Sequence, residues 1–153
     1  MASNNSVAPD EYHTLTPLLK VKEPLKFIEF LKQVFGAREI NHYQQKDKKS
    51  IRIDVKIGDS LIIISDFIPE LRPMPSAFYI YVDNIDNVYK RALEQGATSL
   101  REPKDEIYGN RCAGVTDPFG NQWFIASLNK NASEETYGYN SDIYADSDQT
   151  FSV

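Results

Sequence analysis

The chain has 153 residues and a net charge of -5, with 41% hydrophobic and 25% charged residues, a composition typical of one soluble globular domain. No apolar run approaches the roughly 20 residues that a membrane-spanning helix needs, so we expect no membrane partner. The acidic excess lies in residues 131–153, and the neutral remainder offers no basic stripe for phosphates, which excludes a nucleic-acid partner.

Two features favour a cytoplasmic location. Residues 1–12 lack both the basic start and the apolar stretch of a secretory signal. The single cysteine, Cys112, allows no internal disulfide, and we expect it to be a buried, inert thiol.

The first half of the chain predicts a strand, a helix and three further strands after a polar arm over residues 1–13. A strand is expected at 16–21, and Pro24 and Gly36 suit the start and the end of a helix. One face of that helix is an apolar stripe formed by Phe27, Phe30, Leu31 and Val34. The remaining strands are predicted at 39–44, 51–57 and 61–65, with a hairpin loop over 45–49.

The second half repeats this order. A strand at 77–82 and a helix at 85–95 are followed by strands at 98–101, 111–116 and 122–127. The pattern recurs at an offset of about 60 residues. We therefore predict one domain over 14–129, made of two βαβββ repeats at about 14–67 and 76–129, and a C-terminal tail over 130–153. A duplicated unit packs against its copy, so the cleft between the halves is the expected ligand site.

Five short motifs stand out along the chain: Thr-Pro-Leu at 16–18, Val-Phe-Gly-Ala at 34–37, Ile-Gly-Asp-Ser at 57–60, Tyr-Gly-Asn-Arg at 108–111 and Val-Thr-Asp-Pro-Phe-Gly-Asn-Gln-Trp at 115–123. With the two repeats, they resemble the vicinal oxygen chelate superfamily, especially its glyoxalase/bleomycin-resistance type with a PhnB-like pattern. The resemblance implies an α+β fold in which the two βαβββ repeats form a curved mixed-sheet half-barrel with helices on the outside. It covers about residues 14–128.

The resemblance also implies that the first and last strands of each half supply metal ligands. Those positions hold Thr16, a residue near Ile62, Ala77 and Phe124. Isoleucine and phenylalanine donate no electron pair to a metal, and neither His13 nor His42 is placed to replace them. We therefore expect no metal and no other cofactor.

Strand alternation places Tyr79 and Tyr81 beside Ala77, and Gln122 beside Phe124, which predicts an aromatic cleft wall that binds a flat or apolar ligand. The alternative is that these aromatic residues fill a collapsed half-barrel. The same argument puts three charged residues on one face of the third strand: Arg52, Asp54 and Lys56.

That charged face has two interpretations. It binds an anion through Arg52 and uses Asp54 as a proton-transfer base, or it is simply solvated. Arg111, with Tyr108 in the same motif, either anchors a ligand carboxylate or phosphate or holds its loop as a structural arginine.

These observations favour a metal-independent binding protein, a homodimer that holds a small aromatic or amphipathic molecule. The alternative is a metal-free isomerase, cyclase or lyase that uses Asp54 or a cleft tyrosine, and a third possibility is a divergent metal-dependent enzyme. The acidic tail contains Tyr137, Tyr139, Tyr144 and Phe151, and is predicted either to wrap over the cleft or a neighbouring subunit, or to be a flexible tail.

Overall fold

The structure, a computed structural model, describes residues 7–44, 46, 50–106 and 110–128. The predicted hairpin loop, apart from residue 46, and the C-terminal tail lie outside these residues. In the first half the elements are β1 (Leu18–Lys20), α1 (Pro24–Phe35), β2 (Arg38–Gln44), β3 (Ile51–Ile57) and β4 (Ser60–Ser65). In the second half they are β5 (Ala77–Tyr81), α2 (Ile85–Glu94), β6 (Thr98–Asp105), β7 (Arg111–Thr116) and β8 (Gln122–Ser127).

Each half forms one four-stranded mixed sheet with the same topology. The strand orders are β1-β4-β3-β2 and β5-β8-β7-β6. In both sheets the first strand pairs in parallel with the last, and the other neighbours are antiparallel. The predicted α+β fold with tandem βαβββ repeats is confirmed.

The two halves share one hydrophobic core on the helix side of the sheets. The predicted α1 stripe is buried there. Trp123, 1% exposed, stacks on Phe78 at 4.4 Å and lies 4.5 Å from the α1 residue Phe35, measured between ring centroids. Phe27 meets Phe119 edge to face at 5.3 Å, so aromatic contacts join the halves.

The Asp-Pro-Phe-Gly-Asn-Gln-Trp motif forms the turn between β7 and β8 around the buried side chain of Asp117. The Asp117 carboxylate accepts hydrogen bonds from the backbone N–H of Phe119 and Asn121, at 2.9 Å each, and from Trp123 Nε1 at 2.9 Å. Gly120 completes the turn with a φ of 90°, which favours glycine. Asp117 therefore fixes the loop and the core tryptophan.

One strand is longer than predicted. The pattern predicted a strand over 98–101, but β6 continues through Pro103 to Asp105. Because β6 is an edge strand, a proline without an N–H costs little there. The pairing with β7 is irregular on both sides of Arg101.

The register of the repeat also differs by one residue from the sequence alignment of the two halves. Leu18 pairs with Ile63, and its counterpart Tyr79 pairs with Phe124, so Ile63 rather than Ile62 matches Phe124. Ile62 instead joins the core. The shift arises because Gly58 and Asp59 alone connect β3 to β4, whereas the β7–β8 loop is longer.

Candidate functional site

The sheet face opposite the helices, called the open face below, carries four of the predicted ligand residues in the second half. Tyr79 pairs with Phe124 and Ala77 with Gln122, and paired residues point to the same side of a sheet. Tyr79 and Tyr81 are 55% and 65% exposed, and their rings meet edge to face at 5.3 Å. The structure therefore brings Tyr79, Tyr81, Gln122 and Phe124 onto one surface, with both tyrosine rings accessible.

The side chain of Tyr79 contacts Cys112, the single cysteine of the sequence. Its hydroxyl oxygen lies 3.6 Å from the sulfur of Cys112, which is buried. This contact, together with partial burial, raises the pKa of the Tyr79 phenol to about 12. The phenol therefore stays protonated at neutral pH and is suited to hydrogen bonding rather than to proton abstraction.

A cavity of about 530 Å³ lies between the two halves, where the repeat predicted a cleft. The second half contributes Tyr79, Tyr81 and Trp123, and the first half contributes Leu15 and Phe35. The few polar groups at its wall include His13, Asp59 and Ser60. Gln122 and Phe124 lie on the neighbouring open face rather than in the lining.

The first sheet brings Arg52, Asp54 and Lys56 to its open face, but that face is not simply solvated. Asp54 is 0% exposed. Its carboxylate accepts hydrogen bonds from Arg52 Nε at 2.9 Å and from Arg52 Nη2 at 3.2 Å. The proton-transfer hypothesis assumed an apolar environment for Asp54, and the carboxylate lies instead in an ion pair.

The side chain that covers Asp54 comes from the N-terminal segment, which was predicted to be only a polar arm. The Tyr12 hydroxyl donates a hydrogen bond to Asp54 and accepts one from Asn41 Nδ2 at 2.9 Å. The bond to Asp54 raises the pKa of the Tyr12 phenol above its ordinary value. Beside it, Glu11 pairs with Lys56 at 3.9 Å. No periodicity signals a contact between an arm residue and a strand so distant in sequence, so Tyr12 was missed.

Arg111 does not line the cavity. It binds Asp86 through Nε at 3.0 Å and Nη2 at 2.9 Å, and Asp105 through Nη1 at 3.1 Å. These contacts agree with a structural arginine rather than a ligand anchor. Tyr108, predicted beside it, lies outside the described residues.

The positions that the resemblance assigns to metal ligands do not fit a metal ion. Ile63 and Phe124 occupy the matching places on β4 and β8, and Ala77 also lacks a donor atom. Within the described ranges, no three His, Cys, Asp or Glu side chains cluster in a way that suits a metal. His42 lies 3.7 Å from Glu39, and His13 lies 3.4 Å from the backbone oxygen of Asp59.

Comparison with known proteins gives a consistent result. The profile of the family described as Glyoxalase/Bleomycin resistance protein/Dioxygenase superfamily matches residues 13–125. A relative, Mb0911c of Mycobacterium bovis, is 28% identical over 122 residues, which cover 72% of this chain and 80% of the relative.

Two solved structures share the fold. A PhnB protein of Bacillus cereus superposes with a TM-score of 0.62 at 11% identity, over 76% of this chain and 100% of that chain. TnmS3, an antibiotic binding protein of Streptomyces sp. CB03234, superposes with a TM-score of 0.59 at 20% identity, over 76% of this chain and 96% of that chain. Neither helix in the described part of this chain is long and apolar enough to cross a membrane.

Proposed function

The chain belongs to the glyoxalase/bleomycin resistance protein/dioxygenase superfamily, and from that premise we propose that it binds a small aromatic or amphipathic molecule without a metal ion. The observation that carries this proposal is the cavity of about 530 Å³ between the halves. Its volume lies within the range of about 300–1,000 Å³ that is usual for small-molecule sites.

The lining of the cavity favours a flat ligand. The half-exposed rings of Tyr79 and Tyr81 offer stacking surface, and the Tyr79 hydroxyl offers a hydrogen bond that orients the bound molecule. TnmS3, which has the same fold, is described as an antibiotic binding protein, and this description supports binding of a small molecule here.

The contacts of the titratable groups favour binding over a metal-free isomerase, cyclase or lyase. Asp54 is held by Arg52 and Tyr12, and Tyr79 has a raised pKa, so neither group is a ready base at neutral pH. An Asp54→Asn variant that abolished turnover of a substrate while it retained binding would favour the enzyme instead.

We also propose that the chain forms a homodimer and acts in the cytoplasm. Tyr79, Tyr81 and Leu128 leave much apolar surface exposed on one chain, and a second copy that covered part of this surface would remove it from water. Native mass spectrometry of untreated protein is expected to give the mass of two chains and no stoichiometric metal. The mass of a single chain would contradict the proposed dimer. One equivalent of zinc, nickel, manganese or iron would contradict a metal-independent site.

Calorimetric titration with 2-naphthamide, a flat neutral probe, tests the site itself. We expect saturable binding to the full chain and quenching of Trp123, the single tryptophan, which lines the cavity. Tyr81→Leu removes ring surface from the wall and is expected to weaken binding about tenfold. Tyr43→Leu, at a similarly exposed tyrosine on the other sheet, is the matched control and leaves the affinity unchanged. Absence of saturable binding, or equal losses in both variants, contradicts the proposal.

A further inference from the structure

We infer that the open face of the first sheet carries a second small-molecule site, which takes a planar aromatic carboxylate. A pocket of about 470 Å³ lies at the end of this face. Its wall includes Leu18, Tyr43, Arg52, Ser65, Phe67 and Ile68. It shares no lining residue with the cavity between the halves, so the two are separate places on the molecule.

Arg52 gives the pocket its charge. It is the one charged side chain in the described lining, and 47% of it is exposed. None of the described lining residues is acidic, and the Asp54 carboxylate that pairs with Arg52 is fully buried, so a bound anion meets no acidic side chain in this lining. Lys20, two strands away on the same face, has its ammonium group on the Ile68 backbone oxygen at 2.9 Å, which adds positive charge near the pocket.

The guanidinium is held in place before any ligand arrives. Asp54 accepts from Nε and Nη2, and Tyr12 in turn donates to Asp54. This leaves the edge formed by Nη1 and the second Nη2 hydrogen, for which the described residues provide no acceptor. An edge of two parallel N–H groups matches the two oxygens of a carboxylate.

The apolar wall selects the rest of the ligand. Tyr43 pairs with Arg52 across the β2–β3 ladder, and its ring centroid lies 5.5 Å from the guanidinium carbon. Leu18, Tyr43 and Phe67 are each about half exposed, and together they offer a surface on which a flat ring is able to stack. A neutral amide offers this edge one carbonyl oxygen and no negative charge, so it compensates the desolvation of the guanidinium less well than a carboxylate does.

The test uses two probes of nearly the same shape on the full chain, 2-naphthoate and 2-naphthamide. We expect 2-naphthoate to bind this pocket. Tyr43→Leu is expected to lower the affinity for 2-naphthoate about tenfold, and Tyr81→Leu, in the cavity, to leave it unchanged. For 2-naphthamide we expect the reverse: Tyr81→Leu weakens binding about tenfold, and Tyr43→Leu has no effect. If the cavity proposal is wrong, 2-naphthamide does not bind as expected, but the result for 2-naphthoate is unaffected. The two proposals are therefore tested separately.

The charge is tested with Arg52→Gln/Asp54→Asn, which removes both members of the ion pair and leaves no unpaired buried carboxylate. The double variant keeps the net charge of the chain and is expected to weaken 2-naphthoate binding about tenfold or more. Arg38→Gln, which removes one positive charge at the far end of the same face, is the control for a cation outside the pocket and is expected to leave the affinity unchanged. Circular dichroism first establishes that each variant is folded, and Tyr43→Leu carries the test if the double variant is not. Equal binding of 2-naphthoate by wild type and Tyr43→Leu, or its loss in Tyr81→Leu or Arg38→Gln, overturns the inference.

Discussion

The two open faces of the molecule occupy equivalent places in the repeat and have opposite character. In the first sheet the central position of β3 holds Asp54, which is buried under Tyr12 and paired with Arg52. The matching position of β7 is Gly114, because Asp54 pairs with Ile63 and Gly114 pairs with Phe124. Beside it lie the exposed rings of Tyr79 and Tyr81.

This difference between the two open faces shows that the repeat constrains the residues of only one side of each sheet. Residues that face the helices are apolar in both halves, because both faces enter one shared core. The open faces meet no such demand. The centre of the first is charged and covered by Tyr12, and the second is aromatic and accessible. Chemistry that differs between the halves therefore lies on the open faces.

The largest effect is expected from Asp54→Ala, which breaks the covered face of the first sheet. The substitution leaves the Tyr12 hydroxyl and Arg52 without their acceptor, and we expect a loss of about 3 kcal/mol in the free energy of unfolding. Urea denaturation measures it. Tyr81→Ala in the exposed face is the control and is expected to change stability by less than about 0.5 kcal/mol. Similar losses in the two variants would show that the faces do not differ as described.

A smaller loss is expected from Tyr12→Phe. The variant keeps the ring but removes the hydroxyl that bridges Asn41 and Asp54, so the loss is about 1 kcal/mol. Tyr43→Phe, which also removes one hydroxyl on this face, is the matched control. Unchanged stability of Tyr12→Phe in urea denaturation would mean that the N-terminal segment contributes nothing to the cover.

The smallest effect concerns pH. A phenol whose pKa is raised by folding contributes stability that is fully present below its unfolded pKa of about 10 and is lost as the pH rises through its folded pKa. The Tyr79 phenol, with a pKa of about 12, is therefore expected to ionise only in strongly alkaline solution. Ultraviolet titration of phenolate measures this, and Cys112→Ala is expected to lower the Tyr79 midpoint. An unchanged midpoint in that variant would remove the sulfur contact as the cause.

The sequence predicted the fold in detail because its signals are local. Helix α1 follows from its apolar stripe and from Pro24, and β3 follows from the alternation of apolar and charged residues. The aromatic face was also predictable, since a period of two fixes which residues of β5 share a side.

The rest of the site depends on contacts between segments far apart in the chain. Asp54 and Tyr12 are 42 residues apart, and Arg111 and Asp86 are 25 apart, so no local pattern shows that either pair meets. The sequence predicted a residue near Ile62 as the counterpart of Phe124, and the pairing makes it Ile63. The lengths of two turns decide which side of β4 and β8 each residue takes, and the repeat alone does not give them.

The central claim is that a ligand lies between the two halves, and isotope-filtered nuclear Overhauser spectroscopy of the 2-naphthamide complex tests it most directly. We predict contacts from the probe to the methyl groups of Leu15 and Leu61 in the first half and of Ile80 in the second. Contacts confined to one half of the molecule, or found only on the outer surface of the helices, would contradict it.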